Sequence, residues 1–286
     1  MLGVLLRGRE PISTDGYVFV NDFSARAPDA IHVVRSGPPG ASPIVFLHAL
    51  GLDLGIWDAQ FGEFAGDRDV VALDLPGHGL SGAPDGAPTF EAIATQVAET
   101  LASLDIASAH VVGISFGGMV AQALAIEQPS MVRSLTLVAT SCTFPETVRQ
   151  MLRDRARATR DGGMAIMAEA HLARWFPEAF RAQHPEVSDR FRKLLHRQDP
   201  SFHASLWDLV ATLDLKDRLT ARFAETAIPL MVIVGEDDAS APVAAGQLMC
   251  DQARDAVLHV VPKCGHFPPV EYPGRFNAFL REFLRD

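Results

Sequence analysis

Three residues far apart in the chain, Ser115, Asp238 and His266, carry side chains that together can activate a hydroxyl group. Ser115 stands in Gly113-Ile114-Ser115-Phe116-Gly117, a G-x-S-x-G pattern. That spacing serves a strand turning sharply into a helix with serine at the apex, because flanking glycines remove the Cβ atoms that would collide there. The helix that follows offers free N–H groups and the positive end of its dipole to developing negative charge. A serine hydroxyl is a weak nucleophile at neutral pH. It needs a base within hydrogen-bond reach, and the base needs an orienting group. Gly265-His266 follows the apolar run ending at Val261, and Phe267-Pro268-Pro269 stiffens the loop beyond it. Gly235-Glu236-Asp237-Asp238 follows the strongest late apolar run; Asp238 is the preferred acid and Asp237 the reserve, although a solvated acidic turn has the same composition.

Attack on a carbonyl carbon puts a full charge on its oxygen, and two backbone N–H donors aimed at that oxygen lower the barrier. Phe116, next to Ser115, is expected to supply one. The other is expected from Leu50 in His48-Ala49-Leu50-Gly51, the loop after the apolar run Ile44–Leu47. No metal and no organic cofactor is called for.

These residues need a frame that brings strand ends together. Ile31–Val34, Ile44–Leu47, Val70–Leu73, His110–Gly113, Leu135–Val138, Pro229–Gly235 and Ala256–Val261 read as strands, with a further short one at Tyr17–Val20. Helical patterns separate them at Phe90–Leu104, Gly117–Gln128, Val243–Arg254 and Pro273–Leu284. Runs apolar on both faces suit buried parallel strands, so the alternation predicts an α/β fold with a parallel, doubly wound sheet. From about Pro145 to Arg222 only helix patterns occur. The expected organisation is a core of residues 1–140 and 226–286, interrupted by a helical cap at 141–225.

Composition narrows the partners. The 286-residue chain is 48% hydrophobic and 21% charged, as globular proteins are, and its formal net charge is −10. An acidic surface disfavours nucleic acid and anionic membrane, so a small molecule is the expected partner. Three irregularly spaced cysteines fit neither a disulfide framework nor a zinc site, and no run approaches the roughly 20 apolar residues of a membrane span, which points to the cytoplasm.

His48–Gly51, Asp74-Leu75-Pro76-Gly77-His78-Gly79-Leu80-Ser81, Gly113–Gly118, Gly235-x-x-Asp238-x-x-x-Pro242 and Gly265-His266 with Glu271-x-Pro273 form an ordered set. It resembles the α/β-hydrolase superfamily from about Ile31 onward. The resemblance implies a mostly parallel eight-stranded sheet flanked by helices, a helical cap over the site, the chain order serine, acid, histidine, and a structural role for His78. A narrower set, Leu50-Gly51-Leu52-Asp53-x-x-x-Trp57, Ser115–Val120 and Arg174-Trp175-Phe176-Pro177-x-x-Phe180, is similar to 3-oxoadipate enol-lactonases of aromatic compound degradation. Pro76 and the His48-Ala49 pair depart from that narrower pattern.

The implied activity is that of a serine esterase or lactonase acting on a small carboxylic ester or lactone, the 3-oxoadipate enol-lactone among them, through an acyl-enzyme or an activated water. Two alternatives stay open: a carbon–carbon hydrolase of ring-cleavage products, and a slow-turnover small-ligand receptor on the same fold. Arg149, Arg153, Arg155, Arg157 and Arg160 crowd one helical stretch and read as a solvated face. Arg174, able to pair with a substrate carboxylate, and Trp175, able to wall a pocket, are the cap's substrate-binding candidates. His171, His184, His196 and His203 lack metal-ligand spacing and read as surface or packing residues.

Overall fold

In the computed structural model, residues 30–38 and 41–284 are described. The expected strand at Tyr17–Val20 lies outside them. In chain order the elements are β1 (Val33–Ser36), β2 (Pro43–Leu47), α1 (Asp58–Phe64), β3 (Asp69–Leu73), α2 (Phe90–Ser103), β4 (Ala109–Ile114), α3 (Phe116–Glu127) and β5 (Val132–Val138). Five helices follow: α4 (Glu146–Trp175), α5 (Glu178–Gln183), α6 (Pro185–His196), α7 (Pro200–Ala211) and α8 (Lys216–Glu225). The chain closes with β6 (Leu230–Gly235), α9 (Val243–Cys250), β7 (Val257–Val261), α10 (Pro268–Glu271) and α11 (Pro273–Phe283).

Seven described strands form one sheet in the order β1-β3-β2-β4-β5-β6-β7, with β1 antiparallel to β3 and every other pairing parallel. The reason lies in the apolar runs. β3, β4 and β6 are buried along their whole length, which requires helices on both faces. Side chains alternate between two cores. Val45 and Leu47 pack with Val97 of α2 and Leu124 of α3, while Ile44 and Phe46 pack with Phe64 of α1 and Phe276 of α11. β1 begins two residues later than its apolar run suggests, because its register is set by pairing Val33 with Leu73 and Ser36 with Val70. Helix α9 ends at Cys250, short of the expected Arg254, where two turn bonds, from Gln252 N–H to the Met249 carbonyl and from Ala253 N–H to the Cys250 carbonyl, replace the helix.

The α4–α8 segment leaves the sheet after β5 and returns before β6. Its two ends are fastened together: Leu215 N–H donates to the Cys142 carbonyl at 2.8 Å, and Thr143 Oγ1 donates to Asp214 Oδ1 at 3.0 Å. Helix α4 is not straight. Gly163, with φ 69° and ψ −177°, breaks it in a region of backbone space essentially reserved for glycine. Among the described residues no helix is long and apolar enough to cross a membrane. Cys142, Cys250 and Cys264 are free and buried.

Candidate active site

Parallel neighbours present their carboxyl ends along one rim of the sheet, where open α/β sheets bind ligands. Leu50 follows β2, Ser115 follows β4, Asp238 follows β6 and His266 follows β7.

Ser115 has φ 53° and ψ −116°, a conformation that costs an L-residue of order 1–3 kcal/mol. Strand β5 braces it. Ser115 N–H donates to the Val138 carbonyl at 2.8 Å, and Thr140 Oγ1 donates to the Ser115 carbonyl at 2.7 Å. The flanking glycines are there for close approach. A Cβ on Gly117 would lie 2.3 Å from the Leu47 carbonyl oxygen, and one on Gly113 would lie 2.3 Å from the Gly117 carbonyl oxygen. This contact seats the start of α3 against the loop after β2. Phe116 N–H, at the first position of α3, has no acceptor within the helix.

The loop after β2 turns through Ala49–Leu52, where Leu52 N–H donates to the Ala49 carbonyl at 3.2 Å and Gly51 takes φ 80°. The turn makes no use of Leu50 N–H, and Leu50 lines the same cavity as Ser115. His48 fixes this loop. Its Nε2 accepts from Leu75 N–H at 2.8 Å, so Nδ1 carries the proton and donates to the Ala49 carbonyl at 2.8 Å. Burial pushes the His48 pKa down, in keeping with that neutral tautomer. His78 packs edge-on against His48 and beside Phe116, and burial lowers its pKa to about 3.

Asp238 and His266 are both buried. His266 Nδ1 donates to Asp238 Oδ2 at 2.7 Å, which leaves Nε2 unprotonated in the neutral ring. Asp238 Oδ1 accepts from Ser240 N–H at 2.7 Å and Ala241 N–H at 3.1 Å. The reserve acid, Asp237, is exposed and contributes its backbone N–H to the Cys264 carbonyl. His266 and Ser115 line one cavity, with no Ser115–His266 hydrogen bond among the described residues.

Two features of the base's surroundings had no role assigned from sequence. Glu271 accepts from Gly265 N–H and from Phe267 N–H, both at 2.9 Å, gripping the chain on each side of His266; burial raises its pKa. The His266 N–H donates to the Trp175 carbonyl at 2.7 Å, so the end of α4 holds the His266 backbone. The indole of Trp175 lies nearly parallel to the imidazole, with centroids 6.4 Å apart. Glu271 was visible as part of a motif; a main-chain acceptor such as Trp175 O leaves no residue-type signature.

The cavity holds about 70 Å³, room for roughly five water-sized centres. A larger open groove of about 540 Å³ lies elsewhere, between Pro88 and Arg218, and contains none of Ser115, Asp238 and His266. Trp175 and Trp207 both line the smaller cavity. Arg174 lines it too, but its Nε donates to Ser240 Oγ at 2.9 Å and its Nη2 to the Ala239 carbonyl, so it braces the acid's loop. The solvated-face reading of the arginine cluster fits Arg153, Arg157 and Arg160, which pair with Glu146, Asp154 and Asp208. It fails at Arg155, which is half-buried and faces the cavity. His171 and His203 are buried packing residues, while His184 and His196 are exposed. Among the described residues no cluster of histidine, cysteine and acidic side chains could hold a metal ion.

A 3-oxoadipate enol-lactonase of Acinetobacter baylyi is 29% identical to this chain, over 90% of it and 93% of the enzyme. The crystal structure of the enol-lactonase from Burkholderia xenovorans superposes with a TM-score of 0.83 at 27% identity, covering 90% of this chain and 96% of that one. A malate-bound thermophilic esterase from Thermogutta terrifontis gives 0.81 at 29% identity, covering 89% and 93%. Other relatives bear the names of a methyl ester esterase and a 2-hydroxymuconate semialdehyde hydrolase. The family model described as the alpha/beta hydrolase family matches residues 44–279, nearly the whole of the described sheet and its helices, and this chain belongs to that family.

Proposed function

We propose that this protein is a serine-dependent hydrolase of a small carboxylic ester or lactone, with Ser115 as nucleophile, His266 as general base and Asp238 as its orienting acid. The observation that carries this reading is the 2.7 Å bond from His266 Nδ1 to Asp238, which leaves Nε2 as the acceptor in a cavity shared with Ser115. Ser115 Oγ attacks the carbonyl carbon as its proton passes to Nε2. The oxyanion that forms is received by Phe116 N–H and Leu50 N–H. The C–O bond then breaks, the leaving alkoxide takes the proton from His266, and the acyl group stays on Ser115. Water, deprotonated by the same nitrogen, releases the acid. In a lactone the leaving oxygen is tethered, so ring opening and hydrolysis give one product. The helices α4–α7 act as a cap over this chemistry, and the small cavity favours a compact acyl group. Similarity to the enol-lactonases makes the 3-oxoadipate enol-lactone the first substrate to test.

The test is a panel of p-nitrophenyl esters, simple lactones, that enol-lactone and a ring-cleavage dienoate, run on the protein and on Ser115→Ala. Steady turnover of an ester or lactone, reduced about 10⁴-fold or more in Ser115→Ala with the melting temperature kept, is the expected result. A single burst without cycling would point to the receptor alternative. Preference for the dienoate would move the assignment to carbon–carbon hydrolysis.

A further inference from the structure

Of the charged groups around the cavity, the guanidinium of Arg155 stands apart. It lies over the Trp207 ring, 4.6 Å from the centroid, and among the described residues no carboxylate, carbonyl or hydroxyl accepts from it. The nearby cation, Arg174, is spent on Ser240 and the Ala239 carbonyl. The residues lining the cavity include both arginines and no carboxylate. Asp238, beyond the cavity wall, is buried and already accepts three hydrogen bonds.

Two like charges do not meet here by accident of the helix. Arg155 and Arg174 both belong to α4, and on a straight helix they would stand about 28 Å apart. The break at Gly163 folds the helix so that both line one cavity. The fold thus accepts a repulsion. Burial first, and then Arg174, lower the Arg155 pKa to about 10, which still leaves it charged at neutral pH. The fork of this half-buried guanidinium meets only the Trp207 ring and the cavity, and its planar donors match a carboxylate in a two-pronged geometry. The chain's net charge of −10 does not cancel this, because exposed charges are screened beyond about 8 Å at physiological salt.

We infer that Arg155 binds a carboxylate carried by the substrate away from its scissile carbonyl, so that the site selects half-esters and acid-bearing lactones over neutral ones. This rests on the hydrolase reading for its catalytic consequence but not for binding itself. Trp207 stiffens the guanidinium from one side, and Ser115 lies on the wall of the same cavity.

Two measurements test it separately. Calorimetric titration with glutarate, a dicarboxylate without a scissile bond, should show binding to the protein that weakens at least tenfold in Arg155→Met. Arg155→Lys, which keeps the charge but not the fork, should recover part of it. In kinetics, the ratio of kcat/KM for monomethyl succinate to that for methyl butanoate should favour the anionic ester and fall at least tenfold in Arg155→Met, the change residing in KM. Equal losses on both esters would mean Arg155 merely supports packing, and the inference would be wrong. Absence of glutarate binding to the unmodified protein, or binding indifferent to residue 155, would also overturn it. Should glutarate bind through Arg155 while no ester or lactone is turned over, the anion site stands and the hydrolase reading falls; turnover without anion preference gives the reverse.

Discussion

At the carboxyl ends of β4, β6 and β7, Ser115 and His266 line the cavity, Asp238 is bonded to His266 behind it, and each is held by its own neighbours. Asp238 accepts three hydrogen bonds, Ser115 is braced by β5, and the chain around His266 is gripped by Glu271. Across the cavity, α4 and α7 carry polar atoms that have no hydrogen-bond partner among the described residues. Arg155 faces it without an acceptor, His171 Nε2 and His203 Nδ1 are buried without partners, and α4 is broken at Gly163. On the proposed reading, the two walls divide the work between reaction and recognition. Reacting groups need positions fixed before substrate arrives, because preorganised dipoles cost no rearrangement during reaction. If Arg155 recognises substrate as inferred, its donors are open for it.

The contrast can be broken by the same substitution on its two sides. Gly117→Ala drives a Cβ to 2.3 Å from the Leu47 carbonyl and 2.5 Å from that of His48, both main chain. A loss of about 3 kcal/mol or more in unfolding free energy is expected, together with most of the activity. A urea melt unchanged by more than about 1 kcal/mol would show that the strand ends are softer than their packing implies.

Acid should act on both sides together. His78 and His171 have pKa values lowered to about 3 by burial, and His48 and His203 are lowered by the same cause. Their unfolded value is about 6.5, so between pH 6.5 and 3 the unfolded chain binds more protons than the folded one. The stability from keeping these rings neutral is therefore complete above about pH 6.5 and is lost as pH falls toward 3. The raised pKa of Glu271 opposes this and softens the slope. Thermal melts from pH 8 to 4 should show Tm falling from near pH 6.5; a flat profile would mean the histidines are protonated without loss of fold.

Glu271→Gln sharpens the comparison at the base. The amide retains one acceptor, so one of the two N–H bonds around His266 is lost, and a hydrogen bond to a charged group is worth about 1.5–3 kcal/mol. We expect about a tenfold fall in kcat with little change in KM. A change in KM alone would place Glu271 outside the positioning of the base.

The smallest effect is expected at Gly163→Ala. Nothing lies within 4 Å of the added Cβ, so the cost is only the strain of holding alanine in a positive-φ, non-helical conformation. A net cost of about 1 kcal/mol is expected. If the kink relaxes, Arg155 moves relative to Arg174 and the anion preference falls before stability does, which a melt and the two-ester ratio read separately.

Much of this was legible in the residues alone. Alternation of apolar runs gave the sheet, and strand ends followed by Gly-x-Ser-x-Gly, Asp238 and Gly265-His266 marked the rim, because tight turns and buried strands constrain residue type directly. Asp238 was preferred over Asp237 from the residues, but which side chain the turn buries is visible only in the structure. Nor was it legible that Arg174 bonds to Ser240 and the Ala239 carbonyl while Arg155 lines the cavity without an acceptor. Helical periodicity assigns faces to a straight helix, and the break at Gly163 turns one face against another. The grip of Glu271 had a residue to point to but no periodic pattern, being made to main-chain N–H groups on either side of the histidine.

The bond from His266 N–H to the Trp175 carbonyl joins the end of α4 to the loop after β7 through main-chain atoms alone. Both of its atoms belong to the backbone, so substituting either side chain with anything but proline at residue 266 leaves donor and acceptor in being. Sequence drift can therefore remodel the roof of the pocket while its hinge point to the base is inherited unchanged. Insertions and deletions near residue 175 are the changes that would shift that carbonyl.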